Sequence, residues 1–148
     1  RGFEQNLSAL MAKANPENDY ISFISCDLDN LKTINDTYGH SEGDYAIRTV
    51  GNILKKSIGD GNICARIGGD EFYAIITSSD NSIHESFIAN FYATLDSVVS
   101  TLDKEYEIHA SIGVNTVNSN LIKKAFEHMQ VADQRMYEAK KKYKDTIR

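Results

Sequence analysis

The sequence has little of what would cross-link a chain or carry it through a membrane. It contains two cysteines, Cys26 and Cys64, and one proline among 148 residues. Both cysteines fall in apolar runs typical of buried strands, so we interpret them as reduced core thiols. No apolar run approaches the roughly 20 residues of a membrane-spanning helix, and no secretory leader is seen. We therefore expect a cytoplasmic location for this part of the chain, whether or not its parent protein is anchored in a membrane.

The sequence also lacks an excess of positive charge. Its 16 Lys and Arg against 21 Asp and Glu give a net charge of -5 at pH 7. Domains that bind a nucleic-acid polymer usually carry a basic face, so this balance argues against such a partner, although not against a nucleotide held through metal ions. The length is that of one domain. We expect a single domain over residues 1–148, excised from a longer protein.

Hydrophobic periodicity predicts helices that alternate with strands. The predicted elements are a helix at 2–13, a strand at 20–28, helical turns at 30–38 closed by Gly39, a helix capped by Ser41 through 56, a turn at 59–62, a hairpin at 63–76, a helix at 82–102, a strand at 106–114 and a helix at 121–142. This order predicts an α+β fold, a palm-like or ferredoxin-like sandwich with a mainly antiparallel central sheet flanked by helices.

Apolar residues at helical spacing predict the buried face of each long helix. These are Ala46, Ile47, Val50, Ile53 and Leu54 in the predicted helix that ends at 56; Ile83, Phe87, Phe91, Leu95 and Val98 in the helix at 82–102; and Ala125, Met129, Ala132, Met136 and Tyr137 in the helix at 121–142.

The predicted hairpin presents two acids next to two glycines. Gly68 and Gly69 are expected to supply unusual backbone angles and to leave room for a large ligand. Asp70 and Glu71 repel each other, so they tend to raise a pKa or to recruit a cation. Arg66 is the nearby positive charge that could neutralise them. A glycine-rich turn with solvated acids is the alternative interpretation.

A third acid, Asp27, ends the first predicted strand. In a ferredoxin-like sheet this strand and the hairpin can be neighbours, which would bring Asp27, Asp70 and Glu71 around one site. Three carboxylates with a backbone carbonyl and a substrate phosphate suit Mg²⁺, a hard cation that prefers oxygen ligands. Such an arrangement serves two-metal phosphoryl or nucleotidyl transfer.

Four segments together resemble a known family. They are CDLDNLKTINDTYGHSEGD at 26–44, ARIGGDEF at 65–72, SIGV at 111–114 and ADQRMYEAKKKYKD at 132–145. With this joint spacing, nearly the whole chain resembles the GGDEF domain of the diguanylate cyclases. The resemblance implies an enzyme of bacterial second-messenger signalling that condenses two GTP into cyclic di-GMP and two pyrophosphates. It also implies a homodimer of facing domains and an upstream sensor domain.

The resemblance assigns roles around the metal. It implies that Asp27 and Asp70 bind Mg²⁺, or Mn²⁺, that Leu28 offers its main-chain carbonyl, and that Glu71 lies beside the same cluster. Asp70 would also take the proton from a ribose 3′-hydroxyl. Lys32 would stabilise the charge that develops on transfer, and the backbone N–H groups of residues 28–33 would cradle phosphate.

The resemblance also assigns substrate contacts. Asn35 and Asp44 match positions that bind guanine, and a carboxylate at the latter suits the N1–H and amino donors of that base. His40 matches a further substrate-side position, and Lys140 matches a lysine that grips the outer phosphates. Taken alone, Asn35 and Asp44 could equally be helix caps, and the basic run around Lys140 a solvated helix end.

The chain departs from the family pattern at several positions. Lys144 stands where Arg is usual, which weakens a γ-phosphate contact, and Tyr143 stands where Gly is common. Residues 59–62 (GDGN) replace the Arg-x-x-Asp that binds inhibitory product, so we expect no such site. Of the D-x-L-T and N-R motifs that usually precede the domain in this family, the sequence offers only Arg1, which would be the final residue. We therefore expect Arg66 to lack its partner from that segment and to neutralise the carboxylates. A catalytically silent, GTP-binding regulatory module is the alternative function.

Overall fold

The computed structural model describes residues 20–59, 62–118 and 125–146. Within these ranges lie β1 (Tyr20–Leu28), α1 (Leu31–Tyr38), α2 (His40–Ile58), β2 (Ile63–Arg66), β3 (Glu71–Ser78), α3 (Ile83–Thr101), β4 (Ala110–Asn118) and α4 (Ala125–Thr146). The helix predicted at 2–13, two residues of the turn predicted at 59–62 and the start of the last predicted helix lie outside the described residues. The order of the remaining elements is confirmed.

The four strands form one sheet in the order β2-β3-β1-β4, and every neighbouring pair is antiparallel. β1 is central, with β3 on one side and β4 on the other. Its side chains alternate between two faces that are both covered, which is why nearly every residue of β1 is buried. The predicted α+β class with an antiparallel sheet flanked by helices is confirmed.

The core has one apolar cluster on each face of the sheet. The larger cluster packs β1 and β3 against α2 and α3, and the smaller packs the opposite face against α4. All five residues predicted to be buried on α2 are buried. On α3 the buried residues are Phe87, Phe91 and Leu95, with Ile83 and Val98 partly buried, and on α4 they are Met129, Ala132 and Met136. Cys26 is buried as expected, and Cys64 is half-buried.

Three local predictions were wrong. Tyr137, predicted to be buried on α4, is 49% exposed. Ser41 does not cap α2, because the helix begins one residue earlier, at His40, and Gly39 occupies the cap position with φ 99°. The last strand begins at Ala110, four residues later than predicted.

The segment before β4 alternates like a strand but does not pair as one. Tyr106 and His109 lie in the connection before it, where the Tyr106 hydroxyl donates to Glu42 Oε1 at 2.5 Å and the His109 ring contacts Asp29. Apolar and polar residues alternate here, yet these residues are not part of the ladder that β4 forms with β1. Alternation alone cannot separate such a connection from a strand.

Helix α4 comes closest to the sheet at Gly113 of β4. A Cβ atom built on Gly113 would collide with the backbone of Ala132 and Met136 on the facing side of α4. Since these are main-chain atoms, no side-chain rotation can relieve the overlap. Gly113 is therefore a spacer that lets the helix lie directly on the strand.

We predict that Gly113→Ala lowers the free energy of unfolding by about 1–3 kcal/mol, because the helix must shift off the sheet. Gly68→Ala is the matched control, since a Cβ there meets no atom within 4 Å and its effect should stay within about 0.5 kcal/mol. Urea unfolding of both variants checks this, and equal stability of the two would contradict it.

Candidate functional site

The acidic residues predicted to form a site do meet, at the end of the sheet where β1 ends and β3 begins. Asp27, the second-last residue of β1, lies directly opposite Glu71, the first residue of β3. The N–H of Leu28 donates to the carbonyl oxygen of Asp70 at 3.0 Å, which holds the hairpin against β1. The side chains of Asp27 and Asp70 are within hydrogen-bonding reach of each other. The fold therefore brings Asp27, Asp70 and Glu71 together.

Burial shifts the titration of two of these acids. It raises the pKa of Asp27 to about 7, the negative charge of Asp70 adds to the shift, and Lys140 opposes it. Burial also raises the pKa of Glu71 to about 7, helped by a hydrogen bond with Asp133. Shifts of this size in a cluster of carboxylates are typical of functional sites.

The glycine turn differs from expectation in two ways. Neither Gly68 nor Gly69 has a positive φ, so the backbone angles do not require glycine, and open space surrounds both. Arg66 does not neutralise the carboxylates. Its Nε donates to the carbonyl oxygen of Gly68 at 3.1 Å and its Nη2 to that of Gly69 at 2.7 Å, so it braces the turn itself.

Among the described residues, Lys140 of α4 is the one whose ammonium group pairs with the carboxylates of Asp27 and Asp29. Its Nζ lies 2.8 Å from the carbonyl oxygen of Leu28, 2.8 Å from Asp29 Oδ1 and 3.6 Å from Asp27 Oδ2. Its side chain is only 15% exposed. Lys140 thus lies at the predicted site, where it contacts protein oxygens.

Asp29 is a buried acid that the sequence reasoning missed. It receives hydrogen bonds from His109 Nδ1 at 2.6 Å, from the Ser111 hydroxyl at 2.8 Å and from Lys140. Burial alone would raise the pKa of Asp29, but these donors together hold it below its ordinary value. The only signal in the sequence was its place two residues after Asp27.

Asp133 of α4 is a second acid that sequence reasoning missed. The Ser25 hydroxyl donates to Asp133 Oδ1 at 2.6 Å, and Glu71 bonds with the same carboxyl group. No local pattern distinguishes Asp133 from the other acids of α4. It is found only once α4 is placed over the sheet.

The residues predicted to bind the base lie at the junction of α1 and α2. The Asn35 side chain fills the space beside Gly43, so that a Cβ on Gly43 would collide with it, and Asp44 follows as an exposed residue. His40 and Lys144 are exposed. Lys32 is exposed too, and its ammonium group pairs with Asp36 at 2.7 Å. The structure thus brings the three predicted acids together, and it places Asn35 and Asp44 on α1 and α2 respectively.

The oxygen atoms at the acidic centre are suitable ligands for a hard cation. Asp27 Oδ1 and Glu71 Oε2 are buried without a hydrogen-bond partner among the described residues, and every available ligand is oxygen. As they stand, the described His, Cys, Asp and Glu side chains form no group of three or more that could hold a metal ion. Asp27, Glu71, Asp70 and the Leu28 carbonyl are the oxygens that would hold one.

These features define an α+β domain with a palm-like antiparallel sheet and an acidic centre where β1 ends and β3 begins. The family model described as "Diguanylate cyclase, GGDEF domain" matches residues 1–146. The chain therefore belongs to the GGDEF diguanylate cyclase family.

Relatives and solved structures agree with this assignment. The chain is 30% identical over 138 residues to diguanylate cyclase DgcS of Shewanella oneidensis, with 93% of this chain and 45% of that protein covered. It is 33% identical over 118 residues to the probable diguanylate cyclase DgcT of Escherichia coli, with 77% and 26% covered. The chain therefore spans less than half the length of these relatives.

Its structure resembles the GGDEF domain of DgcB from Caulobacter crescentus in complex with c-di-GMP, with a TM-score of 0.79, 26% identity, and 94% of this chain and 82% of that chain covered. Within the described residues, no helix is both long enough and apolar enough for a bilayer crossing.

We predict that Asp27→Asn stabilises the metal-free protein at pH 8. The folded-state pKa of Asp27, about 7, exceeds its ordinary value of 3.8, so wild-type stability falls as pH rises from about 4 to about 7. Removal of a like charge opposite Glu71 should recover about 0.2–1 kcal/mol. Thermal melts in EDTA at pH 5 and pH 8 measure this, and the gain should shrink at pH 5.

Asp29→Asn is the matched control. It changes an aspartate two residues away, and its expected effect on stability has the opposite sign. Because Asp29 is buried and its donors hold its pKa low, the substitution should destabilise the protein by about 3–5 kcal/mol at pH 8. A lower melting temperature for Asp27→Asn at pH 8 would contradict the prediction.

Proposed function

We propose that this domain is an active diguanylate cyclase, which condenses two GTP into cyclic di-GMP and two pyrophosphates. The observation that carries the proposal is the meeting of Asp27, Asp70 and Glu71 beside Lys140 at one end of the β1–β3 pair. The family generally uses divalent metal ions, and GGDEF domains bind GTP and c-di-GMP and occur with other domains.

In the proposed reaction, a ribose 3′-hydroxyl of one GTP attacks the α-phosphorus of the other. The new P–O bond forms as the bond from the α-phosphorus to the bridging oxygen breaks, and pyrophosphate leaves with that oxygen. The proton of the hydroxyl passes to the Asp70 carboxylate. The 3′-hydroxyl of the second GTP then attacks the α-phosphorus of the first in the same way, which releases the second pyrophosphate and closes the ring.

The remaining residues bind and orient the substrate. Asn35 and Asp44 hold guanine, with His40 nearby, and Lys140 and Lys144 grip the outer phosphates. Lys32 adds positive charge where the leaving pyrophosphate gains negative charge, and Gly68 and Gly69 leave space for the nucleotide to approach. Mg²⁺ or Mn²⁺, held by the oxygens of Asp27, Leu28, Asp70 and Glu71, would supply charge neutralisation at the phosphates.

The reaction requires two copies of the domain. Each copy holds one GTP, so two sites must face each other before each hydroxyl meets the other α-phosphate. We propose that an attached sensor domain in the parent protein raises the effective concentration of the partner. The expected cytoplasmic location, where GTP is available, follows from this proposal.

Incubation of the concentrated domain with GTP and Mg²⁺, followed by chromatography of the products, tests the proposal. We expect cyclic di-GMP, at a rate that rises more than linearly with protein concentration because dimerisation limits the reaction. Asp70→Asn should abolish the product. If wild type, including a forced dimer, binds GTP but forms no product, the silent regulatory module is the correct function.

We also predict that cyclic di-GMP does not inhibit the enzyme through residues 59–62. Asn62 is already engaged, because its amide donates to the Ile58 carbonyl at 2.7 Å and its Oδ1 accepts from the N–H of Thr77 at 3.1 Å. Gly59 offers no side chain. Isothermal titration with cyclic di-GMP should show no submicromolar site here, and such a site that is lost on substitution of Gly59 would contradict the prediction.

A further inference from the structure

Three aromatic rings stack behind the Lys140 site. The His109 ring, in the connection before β4, contacts Tyr143 of α4 and Tyr92 of α3. Tyr143 is parallel to it, with ring centroids 3.8 Å apart and an interplanar angle of 4°. The Tyr92 ring centroid lies 5.8 Å from that of His109, with an interplanar angle of 25°, and the Tyr92 hydroxyl donates to the Ala110 carbonyl at 2.7 Å. The imidazole is thus held by one closely stacked ring, Tyr143, and by a second neighbouring ring, Tyr92.

The stack fixes the direction of a hydrogen bond. The N–H bonds of an imidazole lie in its ring plane, so stacking on Tyr143, which sets the plane of the His109 ring, also sets the direction in which that ring donates. His109 Nδ1 points at Asp29 Oδ2, 2.6 Å away. The main chain adds a second link, because the N–H of Asp29 donates to the His109 carbonyl at 2.9 Å. Asp29 is therefore held on both its backbone and its side chain.

Asp29 in turn fixes the ammonium group of Lys140. The second carboxylate oxygen, Oδ1, accepts from Lys140 Nζ at 2.8 Å. The Ser111 hydroxyl donates to the same carboxylate. The Asp29 side chain is completely buried. A lysine has four rotatable bonds and would otherwise sample many positions.

From these contacts we propose that His109 and Tyr143 are positioning residues that set Lys140 for substrate phosphate through Asp29. The inference rests on the proposed function for the identity of the substrate. Tyr143 is linked to Lys140 most directly, because it lies three residues beyond Lys140 on the same helix, α4. Its ring ties the end of α4 to the segment that holds Asp29.

Competitive acetylation of lysines, read by peptide mass spectrometry, tests the positioning without any nucleotide. In wild type, Lys140 should react more slowly than the exposed Lys141 and Lys142. Tyr143→Ala should raise the relative reactivity of Lys140 about two- to tenfold, the range expected for loss of one aromatic pair. Tyr143→Phe, which keeps the ring, should leave it unchanged. His109→Gln should act like Tyr143→Ala.

Steady-state kinetics tests the consequence for the substrate. Tyr143→Ala should raise KM for GTP about two- to tenfold with a smaller change in kcat, and Tyr143→Phe should restore the wild-type value. In a Lys140→Met background, Tyr143→Ala should have no further effect on KM, because its influence passes through that amine.

Unchanged Lys140 reactivity in folded Tyr143→Ala would overturn the proposal. The proposal would also be overturned if Tyr143→Ala raised the reactivity of all lysines equally and lowered the melting temperature, because that result would show a general loosening of α4. Failure of the wild type to form product would reject the proposed function alone, because the acetylation result still decides whether Tyr143 and His109 position Lys140.

Discussion

The register between β1 and β3 is the constraint on which the acidic centre depends. Phe23 lies opposite Ile75 on the face toward α4, and Ile24 lies opposite Ala74 on the face toward α2. Because side chains alternate along a strand, a slip of one residue would turn every apolar side chain to the wrong face. The same register puts Asp27 opposite Glu71. The apolar core therefore holds in place two like charges that would otherwise separate.

Asp27 and Asp29 show how surroundings decide what an aspartate does. Both contact Lys140, yet Asp29 also accepts from two further side chains, His109 and Ser111, and Asp27 keeps a buried oxygen without a partner among the described residues. As a result the pKa of Asp29 falls below its ordinary value, while that of Asp27 rises to about 7. The saturated carboxylate is a structural support, whereas the unsaturated one retains free capacity for a ligand.

Sequence periodicity was enough to place most elements and the acidic centre. Alternating apolar residues located β1 and the hairpin, and the antiparallel order then made Asp27 and Glu71 neighbours. The Asp29–His109 contact could not be found in this way, because 80 residues separate its partners and their meeting depends on how α4 and the connection before β4 pack. The role of Arg66 was missed for a different reason. Its partners are carbonyl oxygens, which every residue carries, so composition could not favour them over carboxylates.

The position of α4 over the sheet links the core to the functional end of the helix. Gly113 allows Ala132 and Met136 to approach β4, and Arg135 Nη1 donates to the Val114 carbonyl at 2.7 Å. An α-helix rises 1.5 Å per residue and repeats its face every three to four residues, so Lys140 lies about 6 Å beyond Met136 on the same face. The next turn carries Tyr143 over His109. A displacement of the helix at Gly113 would therefore reach both Lys140 and the aromatic stack.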